Sequence, residues 1–232
     1  MKNIFYLIFT LIFFFGCSNE DVLDPTIFNP QLSIVQNLNN GVSITEIISE
    51  VGIESLYGLE YGGGYIFHID QMQSTIMVAT DFSDIGNVSW GDIFDLDTSQ
   101  EIGSGMENTE LIVQGNLEDN SSNGVEFGND NYAFKIVSDL EYRGFDDWFI
   151  PSSGSMGAIY QNVHSQGMGD FDETLIYWSS TKQGYFPYVM GFNFDSWGGQ
   201  AFPGSCLDVN GILIAREFYY SIKYIIITRN YD

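Results

Sequence analysis

The apolar positions begin as an unbroken run. Ile4 to Phe15 is apolar apart from Thr10, follows Lys2 and ends in Gly16-Cys17. A run of that length is too short to span a bilayer, which takes about 20 residues. One positive charge, a short apolar stretch and a small residue before a cleavage point predict a secretory signal peptide over residues 1–16. Residues 17–40 are rich in Asn, Asp, Pro and Gln and read as a tether. From Val42 the aliphatics recur at helical spacing through Ile44, Ile47, Ile48, Val51, Ile53 and Leu56, with Ser43 or Thr45 placed to cap, so 41–57 reads as a short helical connector.

From residue 58 to 232 the period changes again. Tyr65 to Asp70 and Thr75 to Thr80 are β-rich runs joined by a short polar link, which predicts a hairpin. Residues 81–128 are broken by polar residues, with one short helical stretch over Asn108 to Gln114. Ala133, Ile136, Val137 and Leu140 share one helical face behind a cap at Asn129 or Asp130, and Gly144 ends it. A second helix is expected after Pro151-Ser152 through Met156, Ile159, Tyr160 and Val163, weakened by Gly154 and Gly157. Strand patterns then return at Tyr177 to Thr181, Tyr188 to Phe194, Gly211 to Phe218 and Tyr219 to Thr228. Two helices among mainly antiparallel strands predict an α+β domain.

Composition narrows the function. Of 232 residues, seven are Lys or Arg and 31 Asp or Glu, a net charge of −24, and no basic cluster offsets it locally. Such a surface repels phosphate backbones and sulfated chains, so nucleic acid and sulfated polyanions are excluded as partners. There are two cysteines. The Gly16-Cys17 end resembles a bacterial lipobox, which implies acylation of Cys17, anchoring to a membrane through that lipid, and a mature chain whose single remaining thiol, Cys206, forms no internal disulfide. Ser18-Asn19-Glu20-Asp21 resembles the acidic export signal of surface lipoproteins, implying an outer-membrane lipoprotein exposed at the cell surface, with the periplasmic face as the alternative.

Five motifs fall in a recognisable order. They are Gly62-Gly63-Gly64-Tyr65-Ile66-Phe67-His68-Ile69-Asp70, Trp90-Gly91, Gly144-Phe145-Asp146-Asp147-Trp148-Phe149-Ile150-Pro151-Ser152, Tyr177-Trp178-Ser179-Ser180-Thr181 and Ile214-Ala215-Arg216. In this order the chain resembles the DUF1566 family, which includes the C-terminal domain of the Legionella collagen-like adhesin and similar domains of Bacteroidota surface lipoproteins. The resemblance covers about residues 58 to 218 and implies a C-type lectin-like fold serving as a binding or adhesion module. It departs from the family at Ser153-Gly154-Ser155-Met156, which loosens the second helix, and in having one Arg, Arg216, in the last strand where two are usual.

The motif residues have structural roles at hand. Trp148 would be buried, Asp147 would bond backbone N–H groups of the following turn, and Ser179 to Thr181 would satisfy strand ends. Asp92, Asp95, Asp97 and Glu101 form an acidic loop without the glycine of a helix-loop-helix Ca²⁺ site, so no metal ligands are assigned. No nucleophile elbow, zinc helix or phosphate loop occurs, so no catalytic residues and no cofactor are assigned. The aromatic stretch from Tyr185 to Phe202 is the recognition candidate. Phe192 and Phe194 read as packing, whereas Asp195-Ser196-Trp197-Gly198-Gly199 reads as a turn presenting its indole beside Asn193 and Asp195. Trp197, Asp195, Asn193 and Tyr185 are therefore the expected ligand-binding residues, for a neutral glycan or a protein partner. The alternative function is a structural or assembly component of the outer-membrane envelope.

Overall fold

The computed structural model describes residues 27–93, 96–118, 131–192, 198–206 and 208–220. Within them helices and mainly antiparallel strands mix, an α+β architecture. Residues 28–40, read from sequence as tether, are packed. Ser33 accepts from the backbone N–H of Gln36 while the Gln36 side chain accepts from that of Ser33, and this reciprocal cap starts α1 (Ile34–Asn39). Asn37 is fully buried and ties α1 to Asn29 by accepting from its N–H and donating to its carbonyl, at 2.8 and 3.0 Å. The connector forms α2 (Ile44–Val51), capped by Ser43 as expected.

Strands β1 (Glu60–Tyr61), β2 (Gly64–Asp70) and β3 (Thr75–Asp81) follow, β2 and β3 being the expected hairpin. The last described strand, β9 (Leu213–Tyr219), joins them in a sheet of order β1-β2-β3-β9. Because β3 is covered on both faces, its side chains divide by parity. Met77 and Ala79 enter one core with Phe67, Ile159 and Phe192, and Ile76 and Val78 enter another with Leu38, Ile47 and Leu56. A bulge between Ile66 and His68 shifts β2 by one residue, which is why Ile66 and Ile69 share the second core.

The number of helices differs from expectation. The longest is α3 (Gly105–Glu118), where a short stretch over Asn108 to Gln114 was predicted, whereas α4 (Ala133–Ser138) is shorter than its apolar pattern implied. Tyr132 precedes α4 without a side-chain cap, and the predicted caps Asn129 and Asp130 lie outside the described residues. Helix α5 (Ser153–Asn162) is regular and capped by Ser152. Gly154 does not loosen it: a Cβ there would lie 2.4 Å from the carbonyl oxygen of Gln100, whose acceptor it bonds, so glycine is what lets the first turn dock on loop 100–104. Short strands β4 (Val88–Ser89) and β8 (Val209–Asn210) pair with each other, and β5 (Ile176–Gln183), β6 (Phe186–Gly191) and β7 (Ala201–Pro203) form a third antiparallel sheet. Among the described residues no helix is long and apolar enough to cross a membrane.

Candidate functional site

The β5-β6-β7 sheet carries the sequence-selected aromatic stretch. Its inward side is held by polar groups as much as by apolar ones. Ser179 Oγ donates to the carbonyl of Tyr188, Thr181 Oγ1 donates to that of Ser99 and accepts from the N–H of Ser153, and Ser180 Oγ accepts from Asn108. These contacts match the structural role expected for Ser179 to Thr181.

Sequence reasoning missed the group that fixes the β5–β6 turn. Lys182 is fully buried, and its ammonium donates to the carbonyls of Leu96, at 2.9 Å, and Gly184. From the neighbouring loop Asp97 accepts from the N–H of Gly184 at 2.6 Å. A buried charge is tolerable only when hydrogen-bonded in this way. The result is a turn pinned from both sides, on whose outer end Tyr185 is 66% and Phe186 54% exposed. Tyr188, two residues along β6 from Phe186 and so on the same face, is half-buried and donates to Gln183 at 3.3 Å. On edge strand β7, Phe202 is 39% exposed opposite the buried Val189.

Of the expected ligand-binding residues, Tyr185 thus lies on this exposed edge. Trp197, Asp195 and Asn193 lie outside the described residues, as do Phe194 and Cys17. The chain returns to the described structure at Gly198-Gly199, both at positive φ, with Gly199 against Tyr160: a Cβ there would lie 2.2 Å from the ring. Phe192 is buried as expected, among Tyr160, His164, Phe171 and Tyr177.

The other motif residues are structural, with one correction. Trp90, Trp148 and Trp178 are buried, and each indole N–H donates to a backbone carbonyl, of Ser179, Tyr142 and Val88 respectively. Asp147 was expected to bond the following turn. Instead both its oxygens take the Arg216 guanidinium, at 2.6 and 2.7 Å. That guanidinium is stacked 3.6 Å from the Phe145 ring centroid and 4.8 Å from that of Phe218, and also donates to the carbonyl of Gly62.

In the acidic loop, Asp92 and Asp97 serve as tie points, with Asp92 N–H donating to Asn116; Asp95 lies outside the described residues. Among the described residues no group of three His, Cys, Asp or Glu side chains is placed to hold a metal ion. Cys206 is 7% exposed in the core with Trp178 and Val189, and burial pushes its thiol up to about 11, away from nucleophilic use. His68, in β2, has its pKa lowered by burial against the opposing fields of Asp70 and Glu217. On the far side of α3 a cleft of about 480 Å³ is lined by Met106, Val113, Trp148, Glu110 and Asp146 among others. No protein-family model matches the chain, and no curated protein matches its sequence.

Proposed function

We propose that the chain is a non-enzymatic binding module, a lipoprotein held at the outer membrane through acyl chains on Cys17 and exposed at the cell surface. Its domain, C-type lectin-like and of DUF1566 type, would recognise a neutral glycan or a protein partner. The observation that carries this reading is the exposed pair Tyr185-Phe186 on a turn pinned by Lys182 and Asp97. Aromatic rings presented to solvent on a fixed turn bury much area on binding, which is what a recognition surface needs. The mixed helices and antiparallel sheets support an α+β domain, within which the lectin-like arrangement is the proposed one.

A second reading, a structural or assembly component of the envelope, is favoured by a different surface. Helix α3 and the turn before it expose Ile102, Met106, Leu111 and Leu117. Apolar side chains grouped on one element suit a protein–protein contact. A glycan array run beside an envelope pull-down separates the two. Binding to the array that is lost in Tyr185→Ala/Phe186→Ala supports the first; capture of one envelope protein that is lost in Leu111→Glu/Leu117→Glu, with an empty array, supports the second.

A further inference from the structure

A small polar cavity shares no lining residue with the aromatic edge. It measures about 200 Å³ and is lined by Tyr65, Thr80, Asp81, Asp84, Arg143 and Asp170. At about 30 Å³ per water, that is room for roughly six non-hydrogen atoms.

Three features distinguish it from an acidic surface. First, it holds both signs of charge. Of the described basic side chains, Lys182 and Arg216 are buried in structural contacts and Lys135 is paired with Asp139, whereas Arg143 stands 39% exposed at this cavity. Second, Arg143 sits where arginine is unfavourable. Tyr142 and Phe145 exchange both backbone hydrogen bonds across a two-residue turn, with φ of 53° at Arg143 and 80° at Gly144. Positive φ at both central residues is the type I′ pattern, which favours Asn or Gly at the first. Third, Thr80, a residue only 4% exposed, lines the cavity. A hydroxyl on a cavity wall can both donate to and accept from a ligand.

We infer that this cavity binds a small zwitterion, a free α-amino acid with a short side chain. Its carboxylate meets the Arg143 guanidinium, and its ammonium meets Asp84 and Asp170, with Thr80 supplying a further hydrogen bond. The groups already engaged fix the walls. Arg143 donates to the carbonyl of Gly63 at 3.0 Å and lies 3.6 Å from Glu60, leaving further guanidinium donors. Tyr65 donates to Asp170 at 3.1 Å, and burial together with that carboxylate raises the tyrosine pKa, so it remains a donor. Asp81 accepts from the Tyr177 hydroxyl at 2.9 Å and from the N–H of Asp172 at 3.2 Å, adding negative charge to the floor. A simple anion meets net repulsion there, and a simple cation makes no use of the guanidinium donors that Gly63 and Glu60 leave open. A molecule carrying both charges a few bonds apart satisfies each.

The test is calorimetric titration of the full chain with L-alanine, alongside ethylammonium and propionate, which each carry one of its charges. The expected result is saturable binding of L-alanine that neither single-charge analogue reproduces. Binding should weaken at least tenfold in Arg143→Asn, which suits the turn and should melt no lower than the parent, and also in Thr80→Val, which keeps the shape of the side chain. Absence of saturable alanine binding, equal binding of ethylammonium or propionate, or alanine binding unchanged in both variants would overturn the inference.

Discussion

Asp147 and Arg216, 69 positions apart, meet as a two-pronged ion pair: Nε lies 2.6 Å from one carboxylate oxygen and Nη2 lies 2.7 Å from the other. The pair ties the segment ahead of α5 to β9, where Phe149 also exchanges both backbone hydrogen bonds with Ala215. Arg216 is 7% exposed, so its buried charge is balanced by this partner.

The first prediction follows from that balance. Removing the carboxylate leaves the buried guanidinium without its counter-charge. Because the Asp147 side chain is itself 36% exposed, the cost of Asp147→Ala should fall below that of a fully buried pair, at about 2 kcal/mol in chemical denaturation, out of the roughly 5–15 kcal/mol typical of a domain. Arg216→Met leaves no stranded guanidinium and still packs between Phe145 and Phe218, so it should cost less. If Arg216→Met proves the more damaging of the two, the stranded-charge explanation is wrong.

Acidification should weaken the fold through His68. Its folded pKa is lowered by burial below the ordinary 6.5, so the unfolded chain takes the proton first as pH falls. The contribution is therefore nil above that value, destabilising as pH drops from about 6.5 towards the lower folded pKa, and constant below it. Urea midpoints at closely spaced pH values should fall less steeply through this window for His68→Gln than for the parent; parallel slopes would remove His68 from the explanation.

Membrane attachment depends on Cys17 in the proposed function. Cys17→Ser should move the protein from the membrane fraction to the soluble one, and the N-terminal peptide should lose its lipid mass. Unchanged partition, with no lipid on the parent peptide, would contradict the anchoring.

The hairpin, the capped helices α2 and α5 and the closing strand were legible because their apolar residues follow one clear period and end in cap or turn residues. Helix α3 was legible only in part, over Asn108 to Gln114, because its inward face reads Asn108, Ile112, Asn116. Only the middle residue is apolar, while the two asparagines are buried by bonding loop 90–99. A search for apolar periodicity has little to find there. Gly154 misled for a related reason: helix propensity counts it as a weakness, whereas its value is close approach to Gln100. Distance along the chain hid the rest. Nothing local in Asp147 announces Arg216, and Lys182 is exposed as a tie point only once loop 96–98 folds over it. At the candidate site, Tyr185 could be picked out because an aromatic beside glycine in a strand turn has nowhere apolar to go. Arg143 could have been flagged by its place before Gly144, a turn signal with an unusual first residue.

Recognition of a neutral partner at the aromatic edge is the central claim, and a glycan array read at low and physiological salt tests it most directly. Stacking and short hydrogen bonds carry such binding, so it should change little with salt, in contrast to charge-driven attraction. The predicted result is binding of one or more uncharged glycans, insensitive to salt, lost in Tyr185→Ala and in Trp197→Ala while the melting temperature of Tyr185→Ala stays at that of the parent. Strongest binding to a sulfated polysaccharide, or glycan binding that survives both substitutions, would contradict it.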